Sequence, residues 1–204
     1  MVGADDSVRL LFTINHTYME VIMDFTEKTI KSEMIFKGRI INLRLDTVHL
    51  PNGAQSTREI VEHPGGVGII PINEKNEVLM VRQFRKPVED ICLEIPAGKL
   101  NYGEDPYACG LRELEEETGY KAKKVESLGS FYSTPGFSNE VLYLYMATGL
   151  YKGELKPDED EFVEVEAIPL ETLYEMVMKG DIRDAKSIIA ILKAYQLMKS
   201  PLDK

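Results

Sequence analysis

The stretch from Gly98 to Tyr120, GKLNYGEDPYACGLRELEEETGY, constrains what this chain can fold into more than any other. Its second half reads as a helix. Asp105 suits an N-cap, and Pro106 suits the first helical position, where a missing N–H costs nothing. Gly119 suits a C-terminal stop. At about 100° per residue, Glu113, Glu116 and Glu117 stand at i, i+3 and i+4 and share one stripe. Tyr107, Ala108, Leu111 and Leu114 fall on the opposite side and are expected to face a core. Three carboxylates with Cβ atoms about 5–6 Å apart repel one another. At an effective dielectric of 20, a pair about 5 Å apart costs roughly 3 kcal/mol. The run also lies near the helix C-terminus, where the macrodipole disfavours anions. Acidic runs also occur on solvated helix faces, but here a glycine-containing loop with Glu104 precedes the run. The concentration of charge calls for a cation. Hard divalent ions such as Mg²⁺ or Mn²⁺ take oxygen ligands of this kind.

The chain has 204 residues, 44% hydrophobic, enough for one sizeable core with a small appendage. A net charge of −10 argues against non-specific binding to nucleic acid or an anionic membrane. It also means that an anionic substrate must be held by local Arg, Lys or metal. Cys92 and Cys109 form no metal-binding spacing and read as buried thiols. No run of 18 apolar residues exists, and the N-terminus lacks the features of a secretory signal. A cytoplasmic location is expected.

Along the chain, residues 1–22 show no sustained period. The segment from Met23 onward reads as a protein start, so 1–22 are expected to be an N-terminal extension. His16 reads there as an ordinary polar residue. Between Lys37 and His63, GRIINLRLDTVHL and STREIVEH flank a Pro-Asn-Gly turn and read as a hairpin. Residues 23–63 are expected to form a small N-terminal β subdomain, whose uncovered edge suits dimerisation. Residues 64–204 are expected to be the main domain. HPGGVGIIPI, EVLMVRQFRKP, DICLEIPAG, KAKKVESLGSFYS, VLYLYMATGL and FVEVEAIPL read as strands, the fourth as one strand or a bent pair. LETLYEMVMKG and DAKSIIAILKAYQLMK read as helices, with Ile188, Ile189, Ile191 and Leu192 at helical spacing. Strands around an interior helix, closed by C-terminal helices, predict an α/β/α sandwich with a mixed sheet.

The pattern G-x5-E-x7-R-E-L-x-E-E-x-G resembles the Nudix box. At about 7% per residue type, seven of its fixed positions alone match by chance on the order of 10⁻⁸ per start position. The last box position is usually aliphatic and here is Tyr120, a packing position. The resemblance implies a Nudix-type α/β/α fold and hydrolysis of a nucleoside diphosphate linked to another group. It implies Glu113 and Glu117 as principal Mg²⁺ ligands, with Glu116 in or beside the same site and the Ala97 carbonyl as a further ligand. Mn²⁺ is an alternative ion, and more than one ion is expected in the active complex. Such ions neutralise phosphate charge and acidify a water nucleophile. Arg112 is expected to orient a box carboxylate, with Glu116 at i+4 the candidate; the alternative is a plain surface ion pair. Glu104 is expected to support the loop or an outer metal shell.

Features outside the box resemble the ADP-ribose pyrophosphatase branch of that family. They include Pro135 in S-T-P-G-F, the run VRQFRKPVEDICLEIPAG at 81–98, FKGRIINLRLDTVHLPNG, DEDEFVEVEAIPL and GDIRDAKSIIAILKA. The likeness spans nearly all of residues 33–195. It implies that Arg85 binds a substrate phosphate. Glu94 either lines the pocket or simply pairs with a nearby Arg. Arg58, with Phe36 and Ile41, would reach the nucleotide of a partner subunit, although Phe36 alone also suits a core. Gly136 and Phe137 would shape the terminal-ribose side. The water-activating base is expected in the loop Asp158–Glu161, with Glu161 first and Glu159 second. His49 and His63 read as structural. The expected reaction is Mg²⁺-dependent cleavage of ADP-ribose to AMP and ribose 5-phosphate by a homodimer. The alternatives are another nucleotide-sugar substrate, such as GDP-mannose, or a sensor that binds without turnover.

Overall fold

The computed structural model describes residues 8–14, 17–156 and 162–199, with side chains described from residue 24 onward. His16 and the loop acids Asp158, Glu159, Asp160 and Glu161 lie outside the described residues. The chain divides into two compact units after His63, with Gly136–Ser138 belonging to the first.

The N-terminal unit is all β. Strands β1 (Val8–Ile14) and β2 (Thr17–Met23) pair antiparallel. Strands β3 (Lys28–Lys37), β4 (Asn42–His49) and β5 (Gln55–Glu62) form an antiparallel sheet in that order. The β4–β5 turn falls at the Pro-Asn-Gly, where Gly53 takes a left-handed φ of 83°. All ten residues of β3 are exposed, so no alternation in the sequence announced it. Phe36 is 55% exposed, which overturns the core reading of that residue. Phe137 joins this unit, its carbonyl accepting from the Val61 N–H at 2.7 Å.

In the second unit, β6 (Gly66–Pro71) is buried at every position. It runs parallel to β11 (Val141–Lys152) and antiparallel to β9 (Ala97–Lys99). Strand β10 (Tyr120–Tyr132) completes a mixed sheet in the order β10-β11-β6-β9. It is one long strand, bent by a bulge between Ser127 and Gly129. A second sheet holds β12 (Glu164–Pro169), β7 (Glu77–Arg85) and β8 (Asp90–Glu94), all antiparallel. Helices α1 (Pro106–Thr118), α2 (Leu170–Lys179) and α3 (Ala185–Lys199) pack on these sheets.

The alternation of β6 sets the layers. Val67 and Ile69 point to the α1 side, where they meet Cys109 and Leu114. Ile70 points the other way, into a core with Met80, Ile95, Leu144, Leu173 and Ile191. These side chains are fully buried, each contributing about 1.5–3 kcal/mol by removal from water. The buried stripe of α3 is Ser187, Ala190, Ile191 and Ala194. Small residues there let the helix approach the sheet, while Ile188, Ile189 and Leu192 are only partly buried. The result is the expected α/β/α sandwich.

Candidate active site

Helix α1 starts and stops where local chemistry requires. The Asp105 Oδ2 accepts from the Ala108 N–H at 3.1 Å, Pro106 occupies the first turn, and Gly119 ends the helix at φ 70°. Its buried face is rotated from the expected one: Leu114 is buried as expected and Leu111 partly so, but the other two are not. Tyr107 is 44% exposed and Ala108 is exposed, whereas Cys109, Gly110, Glu113, Leu114, Glu117 and Thr118 are buried. Glu113 and Glu117 of the carboxylate stripe therefore turn inward, while Glu116 stays partly exposed. Two glycines make this fit. A Cβ on Gly110 would lie 3.1 Å from Val67 Cγ1, and one on Gly98 would lie 1.8 Å from Glu113 Oε1.

Glu113 and Glu117 thus sit one helical turn apart against consecutive residues of β9. Glu113 covers Gly98, and the Glu117 Oε2 accepts from the Ala97 N–H at 3.1 Å. Arg112 supplies a cation beside them. Its Nη1 lies 2.7 Å from Glu116 Oε2 and 2.8 Å from Glu113 Oε1, and its Nε donates to Glu104 Oε1 at 3.3 Å. Burial works against the charge on Arg112, but the Glu113 and Glu116 carboxylates outweigh it and hold the pKa above the ordinary arginine value. Glu104 also anchors the preceding loop, accepting from the Asn101 N–H at 2.8 Å, which holds its carboxyl below the usual range. Burial pushes the Cys109 thiol up to about 12, so it is inert at neutral pH.

Among the described residues, no three His, Cys, Asp or Glu side chains converge as a ready metal cluster. Arg112 is the cation shared by Glu104, Glu113 and Glu116. Even so, the donor set fits a hard divalent ion: two carboxylates withdrawn from water, 6% and 1% exposed, beside a bare glycine backbone.

A second constellation lies at the end of β7. Arg85 donates to Glu94 through Nε and Nη2, both at 2.8 Å, in a bidentate pair. Glu94 is buried and also accepts from Lys186 Nζ of α3. Burial alone would raise the Glu94 pKa, but the Arg85 hydrogen bonds and the Lys186 charge bring it down to about 2. Glu94 and Arg85 line one cleft of about 460 Å³ with Cys92, Asp90, Arg183 and Lys186. Glu94 thus pairs with an Arg and also borders this cleft. Lys186 was missed because DAKS reads only as the start of a helix.

The remaining candidates belong to the N-terminal unit. Arg58 pairs with Glu27, Nε to Oε2 at 2.8 Å, and also donates to Ser56 Oγ at 3.0 Å. Phe36, Ile41, Gly136 and Phe137 are exposed on that unit. Glu159 and Glu161 lie outside the described residues.

A glycine-seated pair of buried carboxylates on a capped helix, inside a mixed-sheet sandwich, is compatible with the Nudix resemblance of the sequence. The NUDIX domain model matches residues 62–190, and that of the nucleoside diphosphate sugar hydrolase N-terminal domain matches residues 27–61. The chain belongs to the Nudix family. It is 50% identical over 169 residues to a methanol dehydrogenase activator of Bacillus methanolicus, covering 82% of this chain and 91% of that one. It is 48% identical over 167 residues to an ADP-ribose pyrophosphatase of Bacillus subtilis, covering 81% and 90%. The fold matches the crystal structure of an ADP compounds hydrolase with a TM-score of 0.76 at 22% identity, over 85% of this chain and 94% of that one.

Proposed function

We propose that this chain is a pyrophosphohydrolase that cleaves ADP-ribose to AMP and ribose 5-phosphate. The observation that carries the reading is the seating of Glu113 and Glu117, both buried, on Ala97 and Gly98. The bidentate Arg85–Glu94 pair in a neighbouring cleft and the relative from Bacillus subtilis support the choice of substrate class. Glu113, Glu117 and the Ala97 carbonyl would hold Mg²⁺, with Mn²⁺ as a substitute, and Glu116 stands at the edge of the set. The ion supplies charge neutralisation for the diphosphate and acidifies water.

The protein's own groups do the rest. Arg112 restrains Glu116 and Glu113, and Glu104 holds the loop that precedes the helix. Arg85 meets a substrate phosphate. Glu161, or failing it Glu159, takes the proton of the attacking water. The N-terminal sheet, with its exposed Phe36, pairs two copies into a homodimer and brings Arg58 and Phe36 to the nucleotide of the partner subunit. Gly136 and Phe137 shape the terminal-ribose side. The location proposed for the enzyme is the cytoplasm.

The test is hydrolysis of a panel of nucleoside-diphosphate sugars, with and without Mg²⁺. ADP-ribose is expected to give the highest kcat/KM, and only with metal. A stronger preference for GDP-mannose would move the substrate. Binding of ADP-ribose without Mg²⁺-stimulated turnover would make the protein a sensor.

A further inference from the structure

Three cations line the cleft beside Glu94, and Lys186 is the most enclosed of them. Its side chain is 12% exposed, against 38% for Arg85 and 84% for Arg183. Its ammonium is shared between Glu94 and Asp184, whose Oδ1 lies 3.0 Å away. Asp184 also caps α3, its Oδ2 accepting from the Ser187 N–H at 2.9 Å and from the Ser187 hydroxyl at 2.5 Å. The same Ser187 hydroxyl oxygen accepts from the Ile95 N–H at 2.8 Å. The start of α3 is therefore bonded to two successive residues, Glu94 and Ile95, of the segment that leads into Ala97.

The consequences reach Arg85. The guanidinium gives one edge, Nε and Nη2, to Glu94, which turns its Nη1 edge away from that carboxylate. The pose of Arg85 is thus set by the pose of Glu94, which is held from the other side by Lys186. Charge works in the same direction. With Lys186 present, two cations share Glu94 and Asp184. Without it, Arg85 would be left as the close cation for both carboxylates, since Arg183 lies 4.0 Å from Asp90, and would retain less positive potential for an anion.

We infer that Lys186 is a positioning residue for substrate binding: it clamps Glu94 and through it sets the pose and the residual charge of Arg85 toward a substrate phosphate. This rests on the reading of Arg85 given above. Lys186 itself does not touch the reacting atoms.

The experiment is steady-state hydrolysis of ADP-ribose at saturating Mg²⁺ by the full chain, with Tm measured in parallel. The variants are Arg85→Ala, Lys186→Met, Lys186→Arg and the double variant Arg85→Ala with Lys186→Met. Lys186→Met is expected to raise KM about tenfold with kcat changed less than about threefold, the signature of lost binding. Lys186→Arg restores most of the KM. In the Arg85→Ala background, Lys186→Met adds nothing further, because both changes act through one group. A Lys186→Met variant with lowered Tm but unchanged KM makes the residue merely structural and overturns the inference. An unchanged KM in Arg85→Ala overturns the reading of Arg85 itself, and the inference with it. If Lys186→Met does not accumulate folded, Asp184→Asn keeps the helix cap but loosens Lys186. It is expected to raise KM in the same direction, and an unchanged KM there overturns the inference.

Discussion

Gly98 and Glu113 occupy one space: a Cβ on Gly98 would fall 1.8 Å from Glu113 Oε1. The box glycine is therefore required by a carboxylate fifteen positions later, since Gly98 has no left-handed φ to demand it. Gly98→Ala is expected to displace the Glu113 carboxylate by an ångström or more. A displacement on that scale costs about 10²-fold in rate. Measuring kcat/KM alongside Mn²⁺ affinity checks this; an unchanged Mn²⁺ affinity would show that Glu113 does not hold the ion.

Arg112 stands among three carboxylates, Glu104, Glu113 and Glu116. Replacing it by Met leaves them mutually repulsive and without their shared partner. The expected loss is about 1–3 kcal/mol, the cost of stranding charged hydrogen-bond partners, and it lies low in that range because Arg112 is partly exposed. Divalent metal should raise the Tm of Arg112→Met more than that of the wild type, because a bound ion replaces the missing cation. Thermal unfolding in chelator and in excess Mg²⁺ measures both.

Glu94 titrates at about 2 in the folded protein, below the ordinary 4.5. Its contribution to stability is thus complete above pH 4.5 and is lost as pH falls from about 4.5 toward 2. Glu94→Gln should lower stability at pH 7 and flatten the acid limb in that window. The wild-type loss across the window is on the order of 3 kcal/mol for this group. Urea titrations between pH 2 and pH 7 give the comparison, and parallel acid limbs would contradict it.

The proposed base lies outside the box. Glu161→Gln is expected to lower kcat by about 10²–10⁴-fold with KM within about threefold, the range for removing a general base. Near-normal turnover would transfer the role to Glu159, tested by the matching Glu159→Gln variant.

Much of the second unit could be read from residue order. The ends of α1 follow from Asp105, Pro106 and Gly119, and most of the strands around the box follow from runs bounded by glycine, proline and asparagine; their order in the sheet does not. The phase of α1 misled. A helical wheel puts charge outward by default, but Glu113 and Glu117 are buried and Tyr107 is exposed. Strand β3 escaped notice because every one of its side chains is exposed, which removes the alternation that marks a strand. Phe36, which taken alone suits a core, is exposed for a different reason: hydrophobicity reports preference, whereas burial depends on what packs alongside.

By itself, the order of residues determined that Glu113, Glu116 and Glu117 share a stripe. Helical spacing and capping are set within four residues of each position. Only the tertiary structure decided which way the stripe points and which partners its members meet. Gly98 seats Glu113, Ala97 donates to Glu117, and Lys186 arrives at Glu94 from 92 positions away. Desolvation and ion pairing depend on such distant arrivals, and no local periodicity encodes them.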